Sequence, residues 1–248
     1  MLGKSPSWQD RDGACSGYLV ELADTLLMLD CGNGVFAKLR AHDSYERVDA
    51  VVISHLHADH ILDLVPFAYA LTYGPQLRIS RPQLHAPPGA RDALRRLCGV
   101  WGSGDLIENA FELREYDPSS ELHIGGARLE FQPVPHYIPS NAIEVRADGS
   151  PRRLVFGADC GPNDALASFA EGAELLLIES TLSEAVADQP GAHLTAAEAG
   201  AIGQRAGVGQ LVLTHFSDQL DSEALRASAE AQFGRSVALA ASGARYAV

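Results

Sequence analysis

Ser54-His55-Leu56-His57-Ala58-Asp59-His60 occupies residues 54–60 and follows directly on the apolar residues Val51-Val52-Ile53. The apolar run predicts a buried strand over Val48–Ser54, so the first histidine stands where that strand ends. Strand ends are rigid places to mount ligands. The segment therefore predicts a metal centre at one end of a β-sheet.

The spacing of the four polar side chains in this segment predicts two metal ions. His55 and His57 are two positions apart, so in an extended turn both can lie on one side and share an ion. Asp59 and His60 then enter a tight turn and face a second ion. Imidazole nitrogens suit Zn2+, and mixed His/Asp sites also admit Mn2+ or Fe2+. Asp30, at a predicted strand end, either hydrogen-bonds this turn or is a plain strand-end aspartate.

Further polar side chains stand at the ends of other predicted strands. His136, Asp159, Glu179 and His215 each end or follow such a strand. Strand-like and helix-like segments alternate, which favours a single domain over residues 1–248. The predicted strands are Ser16–Glu21, Thr25–Asp30, Glu121–Ile124, Ala127–Val134, Ala142–Arg146, Arg153–Gly157, Leu175–Glu179 and Gln210–Thr214, and the predicted helices are Leu62–Leu71, Gly89–Cys98, Thr195–Ala206 and Leu220–Phe233.

The charge and composition of the chain limit the kinds of molecule that we expect it to bind. The 248 residues carry a net charge of −13, and basic residues cluster only at Arg91, Arg95 and Arg96. A protein that grips a long nucleic acid usually presents a basic face, so such a partner is disfavoured. We see no long apolar segment and no secretory signal, so we expect no membrane contact, a cytoplasmic location and buried, reduced cysteines.

These motifs, in this order, resemble those of the metallo-β-lactamase superfamily over nearly the whole chain. The later motifs are His136 after Pro135, Asp159 in Gly157-Ala158-Asp159-Cys160, and His215 in Leu213-Thr214-His215-Phe216. The resemblance implies an α+β fold, a four-layer αββα sandwich. It also implies that His55, His57 and His136 hold the first metal, that Asp59, His60 and His215 hold the second, and that Asp159 bridges them.

Two further segments resemble ribonuclease Z and its small phosphodiesterase relatives, including bacterial enzymes that open cyclic nucleotides. These segments are Leu177-Ile178-Glu179-Ser180-Thr181 and His193-Leu194-Thr195-Ala196-Ala197-Glu198. In those relatives the histidine gives a proton to the leaving oxygen and the glutamate orients it. The resemblance thus implies catalytic roles for His193 and Glu179, together with Asp59 as the residue that orients or deprotonates the water. A homodimer is also implied.

The chain departs from ribonuclease Z in one respect. Ribonuclease Z enzymes carry a long arm for transfer RNA between the isolated histidine and the bridging aspartate, whereas residues 137–158 leave room only for a hairpin. The expected function is therefore a dinuclear-zinc phosphodiesterase acting on a small substrate such as a cyclic nucleotide. The alternatives are a ribonuclease Z-like RNA endonuclease, a lactone or ester hydrolase, and a non-catalytic metal-binding sensor.

Overall fold

The structure is a computed structural model that describes residues 1–22, 24–75, 80–184 and 192–248. It contains a five-stranded and a seven-stranded β-sheet. The strands are β1 (Tyr18–Leu22), β2 (Thr25–Leu29), β3 (Ala50–Val52), β4 (Gln83–Ala86), β5 (Glu112–Glu115), β6 (Leu122–Ile124), β7 (Ala127–Val134), β8 (Ser140–Ala147), β9 (Leu154–Phe156), β10 (Leu175–Glu179), β11 (Gln210–Thr214) and β12 (Ala238–Leu239). The α-helices are α1 (Val35–His42), α2 (Ala58–Ile61), α3 (Leu64–Tyr73), α4 (Ala90–Gly99), α5 (Leu106–Ala110), α6 (Asp164–Phe169), α7 (Ala196–Ala206) and α8 (Ser222–Phe233).

Strand direction brings several strand ends to one end of the molecule. The first sheet has the order β1-β2-β3-β4-β5, and β2 to β5 run parallel to one another. In the second sheet β9, β10 and β11 are parallel, and β8 runs antiparallel to both β7 and β9. The carboxyl ends of β7, β9, β10 and β11 therefore lie at the same end of the second sheet.

Three apolar clusters separate four layers. One cluster lies between the sheets and includes Leu27, Val52, Phe156 and Leu177. A second packs α1, α3, α4 and α5 on the outer face of the first sheet, and a third packs α6, α7 and α8 on the outer face of the second. A sheet is stable when each apolar face is covered. The expected αββα sandwich is thus confirmed.

Several predicted elements agree closely with the structure, and others shift for local reasons. The strands Ala127–Val134, Leu175–Glu179 and Gln210–Thr214 have the predicted bounds. The predicted helix Leu220–Phe233 begins only at Ser222, because the Asp221 side chain accepts from two backbone N–H groups and caps it there.

The histidine segment also differs in detail from its prediction. The predicted strand Val48–Ser54 is reduced to β3, and the tight turn that follows His57 is the single helical turn α2. The predicted helix Leu62–Leu71 corresponds to α3, which begins at Leu64. The sequence also predicts a short turn at Ala23-Asp24 between the first two strands, and Ala23 lies outside the described residues. None of the described helices combines the length and the apolar character that a membrane span needs.

Candidate metal centre

The three histidines of the first group of candidate metal-binding side chains follow two strands. His55 and His57 follow β3, and His136 follows β7. The Nδ1 atom of His57 lies 3.1 Å from His55 Nε2 and 3.0 Å from His136 Nε2. Together with Asp159, these three histidines place four donor atoms within 4.8 Å of one another. Three converging imidazoles and a carboxylate match the ligand types of a zinc site.

The second group shares Asp159 and adds three side chains. Asp59 and His60 lie in α2, and His215 follows β11. Asp59 Oδ2 lies 3.1 Å from His215 Nε2 and 3.5 Å from His60 Nε2. All four side chains of this group are buried. The structure thereby brings together every side chain predicted for the second ion.

Asp159 stands between the two groups. Its Oδ2 lies 3.8 Å from His55 Nε2 and 3.9 Å from His136 Nε2 on one side. On the other side it lies 3.4 Å from His60 Nε2 and 3.3 Å from His215 Nε2. One carboxylate thus faces both groups, which is the position that a bridging ligand requires.

The electrostatics of the first group favour metal binding. Burial lowers the pKa values of His55, His57 and His136 below that of a free histidine. These imidazoles are therefore neutral near pH 7, and a neutral imidazole has the lone pair that a metal ligand needs. Burial alone raises the pKa of Asp59, but the neighbouring imidazoles of His215 and His60 outweigh it and lower this pKa overall in the metal-free protein.

His60 shows most directly that a cation fits. Its Nε2 atom is buried and has no hydrogen-bond partner among the described residues, although Asp59 and Asp159 both face it. Burial acts to lower the pKa of His60, but the charges of Asp159 and Asp30 raise it well above the ordinary value in the metal-free protein. A buried nitrogen that faces two carboxylates without a hydrogen bond is where a bound divalent cation satisfies all three groups.

Asp30 holds the histidine segment in place, which decides between the two interpretations of this residue. Its Oδ2 accepts from His60 Nδ1 at 2.7 Å and from the Ser54 hydroxyl at 2.8 Å. Its Oδ1 accepts from the Ser54 main-chain N–H at 2.7 Å. With a proton on Nδ1, His60 presents its Nε2 lone pair to the second group.

Glu179 and His193 form a hydrogen-bonded pair beside the second group. His193 Nδ1 lies 2.8 Å from Glu179 Oε1, and the His193 ring stacks on the His215 ring with centroids 5.7 Å apart. Glu179 also accepts from the main-chain N–H groups of Cys160 and Leu194. Burial lowers the pKa of His193, but its bond to Glu179 more than offsets this and raises it overall. The His193 side chain is 17% exposed, so a substrate can reach it.

Some residues at the site were not predicted from the sequence. Ser140 donates its hydroxyl to the Asp159 carbonyl oxygen at 2.9 Å, and Thr181 contacts both Glu179 and His215. A serine and a threonine at strand ends carry no pattern that marks them as partners of metal ligands. His42, His85 and His123 lie outside both groups.

The backbone around the site is unusual. Among the described residues, four non-glycine residues have a left-handed backbone, and three of them, Asp30, Ala158 and His215, lie at this site with φ of 56°, 54° and 53°. Each such residue costs about 1–3 kcal/mol and persists only where the surroundings impose it. Gly32 is also constrained, because a Cβ there would lie 1.8 Å from the Asp59 carbonyl oxygen. These turns direct each strand end toward the donor groups.

Comparison with known proteins supports this description. The model of the beta-lactamase superfamily domain matches residues 25–216. YhfI, a probable metallo-hydrolase of Bacillus subtilis, is 32% identical over 241 residues, which span 93% of this chain and 91% of YhfI. A ribonuclease Z of Bradyrhizobium sp. strain ORS 278 is 29% identical over 289 aligned positions, covering 94% of each chain.

Solved structures show the same fold. The crystal structure of Bacillus subtilis YhfI superimposes with a TM-score of 0.84 at 28% identity, covering 98% of this chain and 95% of YhfI. A diphosphatase of the PhnP family superimposes with a TM-score of 0.74 at 17% identity, covering 98% of this chain and 94% of the diphosphatase. With the family model matched across most of its length, the chain belongs to the metallo-β-lactamase superfamily and has the fold of its metal-dependent hydrolases.

Proposed function

We propose that this chain is a two-zinc phosphodiesterase that hydrolyses a small diester such as a cyclic nucleotide. The observation that carries the proposal is the pair formed by His193 and Glu179 beside the second donor group. A phosphodiester of a sugar must expel an alkoxide, which is a poor leaving group. A positioned proton donor therefore gives such a reaction a large advantage.

The donor groups define which residues would hold the ions. His55, His57 and His136 would hold one and Asp59, His60 and His215 the other, with Asp159 shared. Bound there, the two cations would lower the pKa of a water and stabilise charge on the phosphoryl oxygens.

The chain's own residues would supply the proton transfers and the orientation. Asp59 is the most exposed of the four side chains in the second group, and it would orient the attacking water or accept its proton. His193 would donate a proton to the leaving oxygen from Nε2, because Glu179 engages its Nδ1. Glu179 is buried and held by several N–H donors, so it fixes the direction of the His193 ring.

Charge and chain length support a small substrate. The net charge of −13 opposes a long polyanion. Residues 137–158 form the β8–β9 hairpin and its flanking turns, and this leaves no arm between His136 and Asp159. The alignment with the Bradyrhizobium ribonuclease Z spans 289 positions, more than the 248 residues of this chain, so that relative carries insertions that this chain lacks.

Ribonuclease activity is the second candidate, and the sequence match to ribonuclease Z favours it. Both candidates use the same metal centre and the same proton donor, so they differ in substrate size alone. A lactone or ester hydrolase would use the metal centre without needing the Glu179–His193 pair. A metal sensor would need neither the pair nor a turnover step.

A turnover screen separates these functions. Zinc-loaded and manganese-loaded protein is assayed with cyclic nucleotides, dinucleotides, bis(p-nitrophenyl) phosphate, a lactone and a precursor transfer RNA. The Asp159→Ala variant serves as the control for metal-dependent turnover. We expect the small diesters to be hydrolysed much faster than the lactone or the RNA. Efficient cleavage of the precursor transfer RNA at physiological salt would support the ribonuclease function instead. Lactone turnover without diester turnover would refute the phosphodiesterase function.

A further inference from the structure

One threonine hydroxyl connects the Glu179–His193 pair to the second donor group. Thr181 Oγ1 lies 2.6 Å from Glu179 Oε2 and 2.8 Å from His215 Nδ1. It also lies 3.0 Å from the His215 carbonyl oxygen. His193, Glu179, Thr181 and His215 thus form an unbroken series of hydrogen-bonded side chains that runs from the proton donor to the metal centre.

The direction of each bond follows from the available protons. A hydroxyl has one proton to donate and two lone pairs that accept. Glu179 accepts from the main-chain N–H groups of Cys160 and Leu194, so this carboxylate acts as an acceptor. The Thr181 proton therefore points to Glu179 Oε2, and the bond at 2.8 Å requires His215 to donate from Nδ1. The reverse arrangement would set a hydroxyl lone pair against the carboxylate oxygen at 2.6 Å.

This direction fixes the tautomer of His215. With a proton on Nδ1, the neutral ring carries its lone pair on Nε2, which lies 3.1 Å from Asp59 Oδ2 and 3.3 Å from Asp159 Oδ2. Three acceptors that face one another repel unless a cation lies among them. The tautomer set by Thr181 is therefore the one in which His215 can bind a metal ion.

We propose that Thr181 is a positioning residue that serves both ends of this series. Toward the metal centre, its hydroxyl holds His215 as a donor for the second ion. Toward the substrate, it occupies Glu179 Oε2, so that Oε1 remains directed at His193. The second role rests on the proposed phosphodiesterase function, whereas the first requires only that the centre binds metal.

The test compares Thr181→Val, which removes the hydroxyl at nearly constant shape, with Thr181→Ser, which keeps it. Thr214→Val is the matched control, because Thr214 is the buried neighbour of His215 and its hydroxyl bonds Tyr18 at 2.9 Å instead. Metal-free protein is titrated with Zn2+ against a chromophoric chelator. We expect one of two zinc-binding steps to weaken by about 10–100-fold in Thr181→Val. Thr181→Ser and Thr214→Val should bind zinc as the wild type does.

A second readout concerns the proton donor. Thr181→Val should lose more turnover on an alkyl diester than on bis(p-nitrophenyl) phosphate. Thr181→Ser should keep the wild-type ratio of alkyl to aryl diester turnover. The proposal is overturned if Thr181→Val binds zinc as tightly as the wild type at both steps. It is also overturned if Thr181→Ser shows the same losses as Thr181→Val. If Thr181→Val does not fold, Thr181→Ala takes its place with the same expected shifts. Absence of diesterase activity in the wild type refutes the proposed function alone, since the zinc titration still decides the role of Thr181.

Discussion

Replacing His193 by alanine should slow alkyl phosphodiesters far more than aryl phosphodiesters. General acid catalysis typically contributes 10²–10⁴-fold, which corresponds to about 3–5 kcal/mol of barrier. A cyclic nucleotide releases a ribose alkoxide that needs a proton, so its turnover should fall by about that factor. Bis(p-nitrophenyl) phosphate releases a stable phenolate, so its turnover should fall clearly less.

The structure indicates that this substitution leaves the fold intact. Glu179 keeps its bonds from Cys160, Thr181 and Leu194 when His193 is removed. A hydrogen bond to a charged group contributes about 1.5–3 kcal/mol, and the 17% exposure of the His193 side chain allows water to replace it in part. The loss of stability should therefore lie at or below the lower end of that range.

The assay measures kcat and kcat/KM for both esters, with zinc content determined on the same samples. Zinc content should be unchanged, because His193 is not assigned as a ligand. Glu179→Gln should show the same leaving-group pattern more weakly, since Glu179 only orients the imidazole. Equal losses on the two esters with full zinc content would refute the role of proton donor and would mean that His193 positions the substrate instead.

Two further predictions concern the metal centre. Gly32→Ala should destabilise the protein by about 1–3 kcal/mol and lower its zinc content, because the new Cβ would lie 1.8 Å from the Asp59 carbonyl oxygen. Gly126→Ala, with open space around the new Cβ, is the matched control, and equal melting temperatures for the two variants would count against the argument. Zinc binding should release protons and weaken as the pH falls, because Asp159 helps to raise the pKa of His60 in the metal-free protein and zinc must displace that proton. Calorimetry in two buffers of different ionisation enthalpy measures this release, and identical heats would contradict it.

The sequence alone predicted the parts of the site that depend on residue type and spacing. His55, His57, Asp59 and His60 are recognisable because few other roles explain four such side chains after an apolar strand. Glu179 ends a strand whose continuous apolar run predicted its bounds. The αββα arrangement, by contrast, came from the resemblance, since a list of strands does not say which sheet each one joins.

Other parts of the structure were difficult to predict from the sequence. The helix α1 begins after Gly34, which has φ of 88° and no side-chain cap, so no capping residue marks its start. The strand β4 contains Gln83 and the buried His85, whose side chains are hydrogen-bonded at 2.7 Å. These polar residues interrupt the apolar pattern by which a buried strand is recognised in a sequence. Thr181 could not be identified either, because its role exists only once Glu179 and His215 meet in space.

The number of zinc ions bound per chain tests the central claim most directly. Chelator-stripped wild-type protein is titrated with Zn2+, and bound metal is measured by elemental analysis after removal of the excess. We expect two zinc ions per chain in the wild type. The Asp159→Ala variant should bind both ions more weakly, since Asp159 Oδ2 lies within 3.9 Å of a histidine nitrogen in each group. Asp164→Ala, which removes an exposed carboxylate that pairs with Arg205, should bind both ions normally. One ion or none in the reconstituted wild type, or an Asp159→Ala variant that keeps both, would contradict the two-metal centre.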